Sequence, residues 1–324
     1  MIATGGTIAS KNQGDGLSPV ISAEELLELV PEIAKFCTVE TTQPFYYDST
    51  NVFHEHWLQI ANIIKQNYDL FDGFVITHGT DTMAYTASAL SYLIQNSSKP
   101  IVLTGSQKSA FLRDTDARNN LLGAFTYCAD SDACGVHIVF DGKVILGTRA
   151  KKTRTRSYNA FSSIDYPEVA VIRDGKPLYY IKEKITGNPK FYDKLNHNIF
   201  VIKMIPGMSA EIFRYLDKYY DAVIIESFGS GGLPMYQGDA FYKRLKEFTD
   251  KGKVVVMGTQ VEHEGSALEV YEVGKRLFDM KGILEARSMT LESTVAKLMW
   301  ILGQTSDLNE IQTMFSTPVS TDII

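Results

Sequence analysis

The sequence predicts an α/β protein of two unequal domains, and three observations carry the prediction. At 324 residues the chain exceeds one typical domain. Short β-branched runs alternate with helical apolar patterns along most of its length, as in a mainly parallel sheet flanked by helices. Two of these runs, Met1-Ile2-Ala3 and Phe74-Val75-Ile76-Thr77, pass directly into glycine and threonine. Open α/β sheets bind ligands at such carboxyl ends of strands.

In chain order, the first strand ends in Thr4-Gly5-Gly6-Thr7, where adjacent glycines permit positive φ and close approach of backbone or ligand. Lys11 to Gly16 is polar, glycine-rich and aperiodic, a slack connection or a mobile lid. Ser22 and Glu25 form a capping-box pattern for a helix whose apolar stripe is Leu26, Leu27 and Val30, and Pro31 helps to end it. Val39 to Tyr46 reads as a strand, followed by the polar loop Asp48-Ser49-Thr50-Asn51. The next helix places Trp57, Ile60, Ala61 and Ile64 on its core side. Gly73 to Thr77 is a buried strand, and a helix from about Thr82 presents Ala87, Leu90 and Ile94. Pro100 to Leu103 is a further strand, ending in Thr104-Gly105-Ser106-Gln107, with a helix from about Asp116 to Cys128 after it. Asp141-Gly142 between two apolar runs signals a hairpin, hence an antiparallel addition to the sheet.

The polar stretch around Gly187-Asn188-Pro189 is assigned as the linker, so residues 1–180 and 199–324 form the domains and 181–198 join them. Beyond it, Phe200 to Lys203, Ala222 to Glu226, Val254 to Met257 and Ile283 to Ala286 are strands that alternate with helices, a second and smaller parallel sheet. The net charge of −6 gives no general attraction to nucleic acid or to anionic membranes. Cys37, Cys128 and Cys134 cannot all pair and lack metal-ligand spacing, which suits a reduced compartment. No basic-then-apolar leader and no run of membrane-spanning length is seen, so a cytoplasmic location is expected.

Thr4-Gly5-Gly6-Thr7-Ile8-Ala9 and His78-Gly79-Thr80-Asp81-Thr82-Met83 resemble the two signatures of bacterial-type L-asparaginases, most closely the cytoplasmic (type I) branch. The resemblance implies a flavodoxin-like N-terminal catalytic domain, a Rossmann-like C-terminal domain, and hydrolysis of L-asparagine without metal or organic cofactor. It implies Thr7 as nucleophile, with Thr80, Asp81 and Lys152 as a Thr-Lys-Asp group in which lysine is the base. A threonine hydroxyl needs such a base, and a lysine serves only when neutral. Which threonine attacks first stays open. Asp48, Ser49 and Thr50, with Thr80 and Asp81, match positions that hold the substrate's α-carboxylate and α-amino groups. Gly14, Gly16 and Leu17 match the lid, with Leu17 where relatives carry a tyrosine. The resemblance also implies a homodimer or homotetramer in which the Gly229-Ser230-Gly231-Gly232 loop completes a neighbour's site, although Asn is common at Ser230. Glu226 and Val261 stand where some relatives place an allosteric Arg and Cys, so that control is not expected.

Plainer readings of the same residues exist. Five cationic residues between Arg149 and Arg156 also describe a solvated basic strip. Asp48 suits an Asx-type turn and Asp81 a helix N-cap. His54-Glu55-His56 is expected at the surface, and His78 is expected to hold loop backbone. The rival functions are a glutaminase-asparaginase, a tRNA-dependent amidotransferase subunit of the same lineage, and an inactive amino-acid-binding module. The acidic charge and the absence of an extra N-terminal domain count against the tRNA version.

Overall fold

Phe74–Thr77 is buried along its whole length, as a strand covered on both faces must be. It lies inside a sheet that, in a computed structural model of the protein, organises the first of two compact units, Met1–Asp193 and Lys194–Ile324. The structure describes residues 1–12, 17–270, 272–278 and 280–324.

The first unit begins with β1 (Ile2–Ala3), the hairpin β2 (Ser10–Asn12) and β3 (Leu17–Pro19), and helices α1 (Ala23–Glu28) and α2 (His54–Asn67). Next come β4 (Phe74–Thr77), α3 (Met83–Leu93), β5 (Ile94–Gln95), β6 (Pro100–Thr104) and α4 (Ala117–Cys128). Strands β7 (Gly135–Phe140), β8 (Lys143–Leu146), β9 (Ala150–Lys152), β10 (Phe161–Ser163), β11 (Ala170–Arg173), β12 (Lys176–Tyr179) and β13 (Lys190–Phe191) complete it. Among the described residues the main sheet has the order β1-β4-β6-β7-β8-β11-β12. Its first four strands run parallel, and the rest are antiparallel additions.

Local chemistry accounts for these elements. Ser22 and Glu25 exchange side-chain and backbone bonds at the start of α1, and Pro31 opens a separate 3-10 turn after it. Trp57, Ile60, Ala61 and Ile64 are the buried face of α2. Asp141 and Gly142 have φ of 50° and 72°, the paired positive values that a tight β7–β8 hairpin requires.

Val39 to Tyr46 does not form the expected strand. Isolated bridges tie this part of the chain to the sheet, Ile2 with Thr42 and Gly5 with Tyr47 just after the segment, and the Met1 amine donates to Glu40 O. Between the two bridges the chain leaves the ladder at Pro44, which has no N–H to give it. Residues 181–198 carry β13, which pairs with β5, and the Tyr192 N–H donates to Leu93 O at 2.8 Å.

The second unit contains β14 (Ile199–Lys203), α5 (Ile212–Tyr219), β15 (Ala222–Ser227), α6 (Tyr236–Thr249), β16 (Val254–Thr259), α7 (Glu272–Phe278), β17 (Ile283–Glu285), α8 (Leu291–Gln304) and α9 (Leu308–Ser316). Strands β14 to β17 form a parallel sheet in sequence order. Phe213, Phe241, Leu245 and Phe248 pack from α5 and α6 onto it. Lys297 on α8 meets Asp322 at 2.8 Å with both side chains wholly buried, and it also donates to Thr317 O at 2.9 Å. That pair ties the C-terminal segment to α8, and burial holds the Lys297 pKa below its ordinary value.

Candidate active site

Three loops meet beyond the carboxyl ends of the neighbouring strands β1 and β4, and they meet at glycines. Gly6 has φ of 77°, and a Cβ there would lie 2.4 Å from Gly79 Cα. A Cβ on Gly79 would lie 2.6 Å from Ser49 Oγ. Neither space admits a side chain. The two signature loops are therefore packed backbone to backbone, and the Ser49 side chain of the Asp48–Asn51 turn packs directly on the Gly79 backbone. Hydrogen bonds fix the arrangement: Gly6 N donates to Tyr47 O at 2.8 Å, Tyr47 N to Thr4 O at 3.0 Å, and Thr4 Oγ1 to Thr77 O at 2.8 Å.

Thr7, half-buried, opens a 3-10 turn directly after Gly6. Thr80 is 5% exposed and sits one residue past Gly79. Lys152, at the end of β9, donates to Thr80 Oγ1 at 2.8 Å and to Asp81 Oδ1 at 2.7 Å. The Lys152 side chain is 16% exposed and that of Asp81 56%. The Asp81 carboxylate meets the amine, and Thr82 takes the N-cap position of α3. The basic segment does not behave as one solvated strip. Arg149 is fully buried beside the Tyr166 ring and Lys152 points to Thr80, whereas Arg154 and Arg156 are exposed.

Asp48 accepts from Thr50 N at 2.9 Å and from Thr50 Oγ1 at 2.8 Å, an Asx-type turn that presents Ser49 inward. Ser49 Oγ accepts from Asp81 N at 3.2 Å and Ser49 O from Thr82 Oγ1 at 2.7 Å, so this turn is coupled to the second signature. Gly14 and Gly16 lie outside the described residues, as does the side chain of Leu17, whose backbone pairs with Asn12. In the second unit, Ser230 O accepts from Ala267 N at 2.8 Å, Glu226 O accepts from Gln260 Nε2 at 3.0 Å, and Val261 is exposed. Among the described residues no cluster of three or more His, Cys, Asp or Glu side chains could hold a metal ion.

Two residues have larger parts than the sequence suggested. His56 is no bare surface residue: its Nδ1 accepts from Phe53 N at 3.2 Å, and its ring packs against Phe45, Tyr47 and Phe53. Gln107 receives the Thr80 hydroxyl proton on Oε1 at 3.2 Å. The signal for it was the Thr104-Gly105-Ser106-Gln107 run, a third strand ending in glycine and polar residues.

His78 is fully buried and bonded on both sides. Its Nδ1–H donates to Gly79 O at 2.7 Å, because a carbonyl can only accept, and its Nε2 accepts from Thr86 Oγ1 at 3.0 Å. The Thr86 hydroxyl in turn accepts from Trp57 Nε1 at 3.0 Å. Burial pushes the His78 pKa down from 6.5 to about 4. The unfolded chain therefore takes up a proton below pH 6.5 that the folded chain refuses until about pH 4. Stability from this group is present above pH 6.5 and is lost as pH falls through 4, roughly 3 kcal/mol in all. His78→Asn should be less stable than the parent at pH 7 but lose less between pH 7 and 4 in urea unfolding. Equal losses in both proteins would refute the assignment.

Fold and site together define an α/β protein with a hydroxyl, amine and carboxylate cluster at the carboxyl edge of a parallel sheet. Residues 1–185 match the family described as Asparaginase, N-terminal, and residues 198–315 match the Glutaminase/Asparaginase C-terminal domain. The chain belongs to the asparaginase family. It is 38% identical to an L-asparaginase of Thermococcus kodakarensis, over 100% of this chain and 98% of that one. The solved structure of the thermostable L-asparaginase from that organism superposes with a TM-score of 0.92 at 37% identity, covering 100% and 98% of the two chains. A glutamyl-tRNA(Gln) amidotransferase subunit of Pyrococcus furiosus is 35% identical over 100% of this chain but 76% of its own. A probable cytoplasmic L-asparaginase from Campylobacter jejuni has a TM-score of 0.83 at 27% identity, with 97% of each chain covered.

Proposed function

We propose that this protein hydrolyses the side-chain amide of L-asparagine to L-aspartate and ammonia. The observation that carries the reading is Lys152 Nζ, bonded at once to Thr80 Oγ1 and Asp81 Oδ1, one glycine contact away from the Thr7 loop. Thr7 Oγ attacks the amide carbon, its proton passes to the departing nitrogen, and ammonia leaves an acyl-enzyme that water cleaves. Thr80, Lys152 and Asp81 move protons, and N–H groups of the glycine loops stabilise the oxyanion. Ser49, Thr50 and Asp48 hold the α-carboxylate and α-amino groups. The likeness to L-asparaginases, at 38% identity in sequence and a TM-score of 0.92 in structure, favours this reading over the amidotransferase one, at 35% identity.

Ammonia release from asparagine and from glutamine tests the reading directly. Asparagine should be the better substrate by kcat/KM. Release from glutamine alone, or only with misacylated tRNA present, would replace it with the glutaminase or amidotransferase reading. The likeness to a probable cytoplasmic L-asparaginase supports a cytoplasmic location. The active species is a homodimer or homotetramer with sites completed by a neighbour, and light scattering during the same assay checks this. A fully active monomer that persists on dilution would refute it.

A further inference from the structure

We infer that Gln107 positions the Thr80–Lys152 pair, holding the Thr80 hydroxyl with one end of its amide and the hairpin that carries Lys152 with the other. This rests on the reading of Thr80 and Lys152 as the proton-moving pair. Thr80 Oγ1 donates to Gln107 Oε1 at 3.2 Å, and Gln107 Nε2 donates to Ser157 O at 3.1 Å. The amide's orientation follows from chemistry: Ser157 O can only accept, so the nitrogen must face it and the oxygen must face Thr80. Ser157 lies in the connection between the paired strands β9 and β10, five residues after Lys152. One side chain thus touches one partner of the pair and the backbone that carries the other.

The rest of Gln107 is built to stay in place. Its own N–H donates to both oxygens of the Asp116 carboxylate, at 3.1 and 2.9 Å. Lys108 N and Asn120 Nδ2 donate to the same carboxylate at 3.1 Å each, and Asp116 is 6% exposed. Asn120 Nδ2 also bonds Gly105 O at 3.0 Å, closing the strand-end loop on itself. Tyr158 OH donates to Asp114 O, a second tie between the β9–β10 connection and this loop.

Thr80 has one proton to give and lone pairs to share. With Lys152 donating to its oxygen, its proton has a defined acceptor in Gln107, so the hydroxyl rotor is fully specified. The Thr80–Gln107 bond is longer than the usual hydroxyl range. It fixes the hydroxyl's direction without holding its proton tightly, which leaves that proton available for transfer within the pair. Losing that hold leaves both groups present and loosely placed, a defect that misplacement alone can make worth up to about 10²-fold in rate.

The test uses Gln107→Met, of similar length but without hydrogen bonds, and Gln107→Glu, which keeps the acceptor for Thr80 and loses the donor to Ser157 O. We expect Gln107→Met to lower kcat on asparagine by about 10- to 100-fold, with KM and Tm little changed. Gln107→Glu should fall between it and the parent. In a Lys152→Met background the Gln107→Met change should cost almost nothing further, because it acts through the pair already broken. Unchanged kcat in Gln107→Met overturns the inference, as does unchanged kcat in Gln107→Glu should the methionine variant fail to fold. A fall in Tm with full kcat in the folded fraction assigns Gln107 to stability alone and also overturns it. If the parent protein itself releases no ammonia from asparagine, it is the functional reading that fails.

Discussion

Thr7→Ala should lower turnover of asparagine by about 10³-fold or more while the protein remains folded. The loss is that large because the proposed mechanism makes this hydroxyl the group that forms the bond, and nothing else in the turn can replace it. Stability should change little. Thr7 is half-buried and its backbone, which opens the 3-10 turn, is unaffected by losing a hydroxyl and a methyl. Thr7→Ser should retain part of the activity, since it keeps the hydroxyl and loses only the methyl that restricts its rotamer. The measurement is steady-state kinetics at saturating asparagine beside a thermal melt. Near-parent turnover in Thr7→Ala would remove Thr7 as nucleophile and pass the role to Thr80, the other hydroxyl in the cluster.

The fold was legible where apolar patterning was simple. The β4 and β6 runs are buried on both faces, and the β7–β8 turn needed two positive φ values that Asp141-Gly142 supplies at low cost. Val39 to Tyr46 misled because its β-branched and aromatic content imitates a strand, whereas those side chains serve other ends. Phe45 and Tyr47 stack with each other and surround His56 at the start of α2. Within the site, the two signatures announced themselves through glycines, since only glycine lets the Gly6 and Gly79 backbones touch. Gln107 did not announce itself, because a glutamine after a strand has no pattern of its own. Its contact with Thr80 depends on how β4 and β6 are registered, with Thr77 opposite Thr104. Arg149 looked like part of a charged surface and is buried, which spacing along a chain cannot reveal.

Lys152→Met and Lys152→Arg separate two things the lysine could do. As a base it must accept a proton, and as a cation it need only sit beside Asp81. Methionine removes both functions, and arginine, which stays protonated, keeps only the second. The ion pair itself contributes little to stability: Asp81 is 56% exposed, and pairs open to water are worth about 0–1 kcal/mol. Both variants should therefore fold with melting temperatures close to the parent's. General acid–base catalysis, by contrast, is worth about 10²- to 10⁴-fold, and both variants should lose turnover on that scale. Lys152→Ala should regain part of its activity when a small primary amine is added, because the amine can enter the space between Thr80 and Asp81 and take the proton. Turnover near the parent's in Lys152→Arg would mean that fixed positive charge suffices. Proton transfer would then have to run through another group, and Thr80 would lose its base.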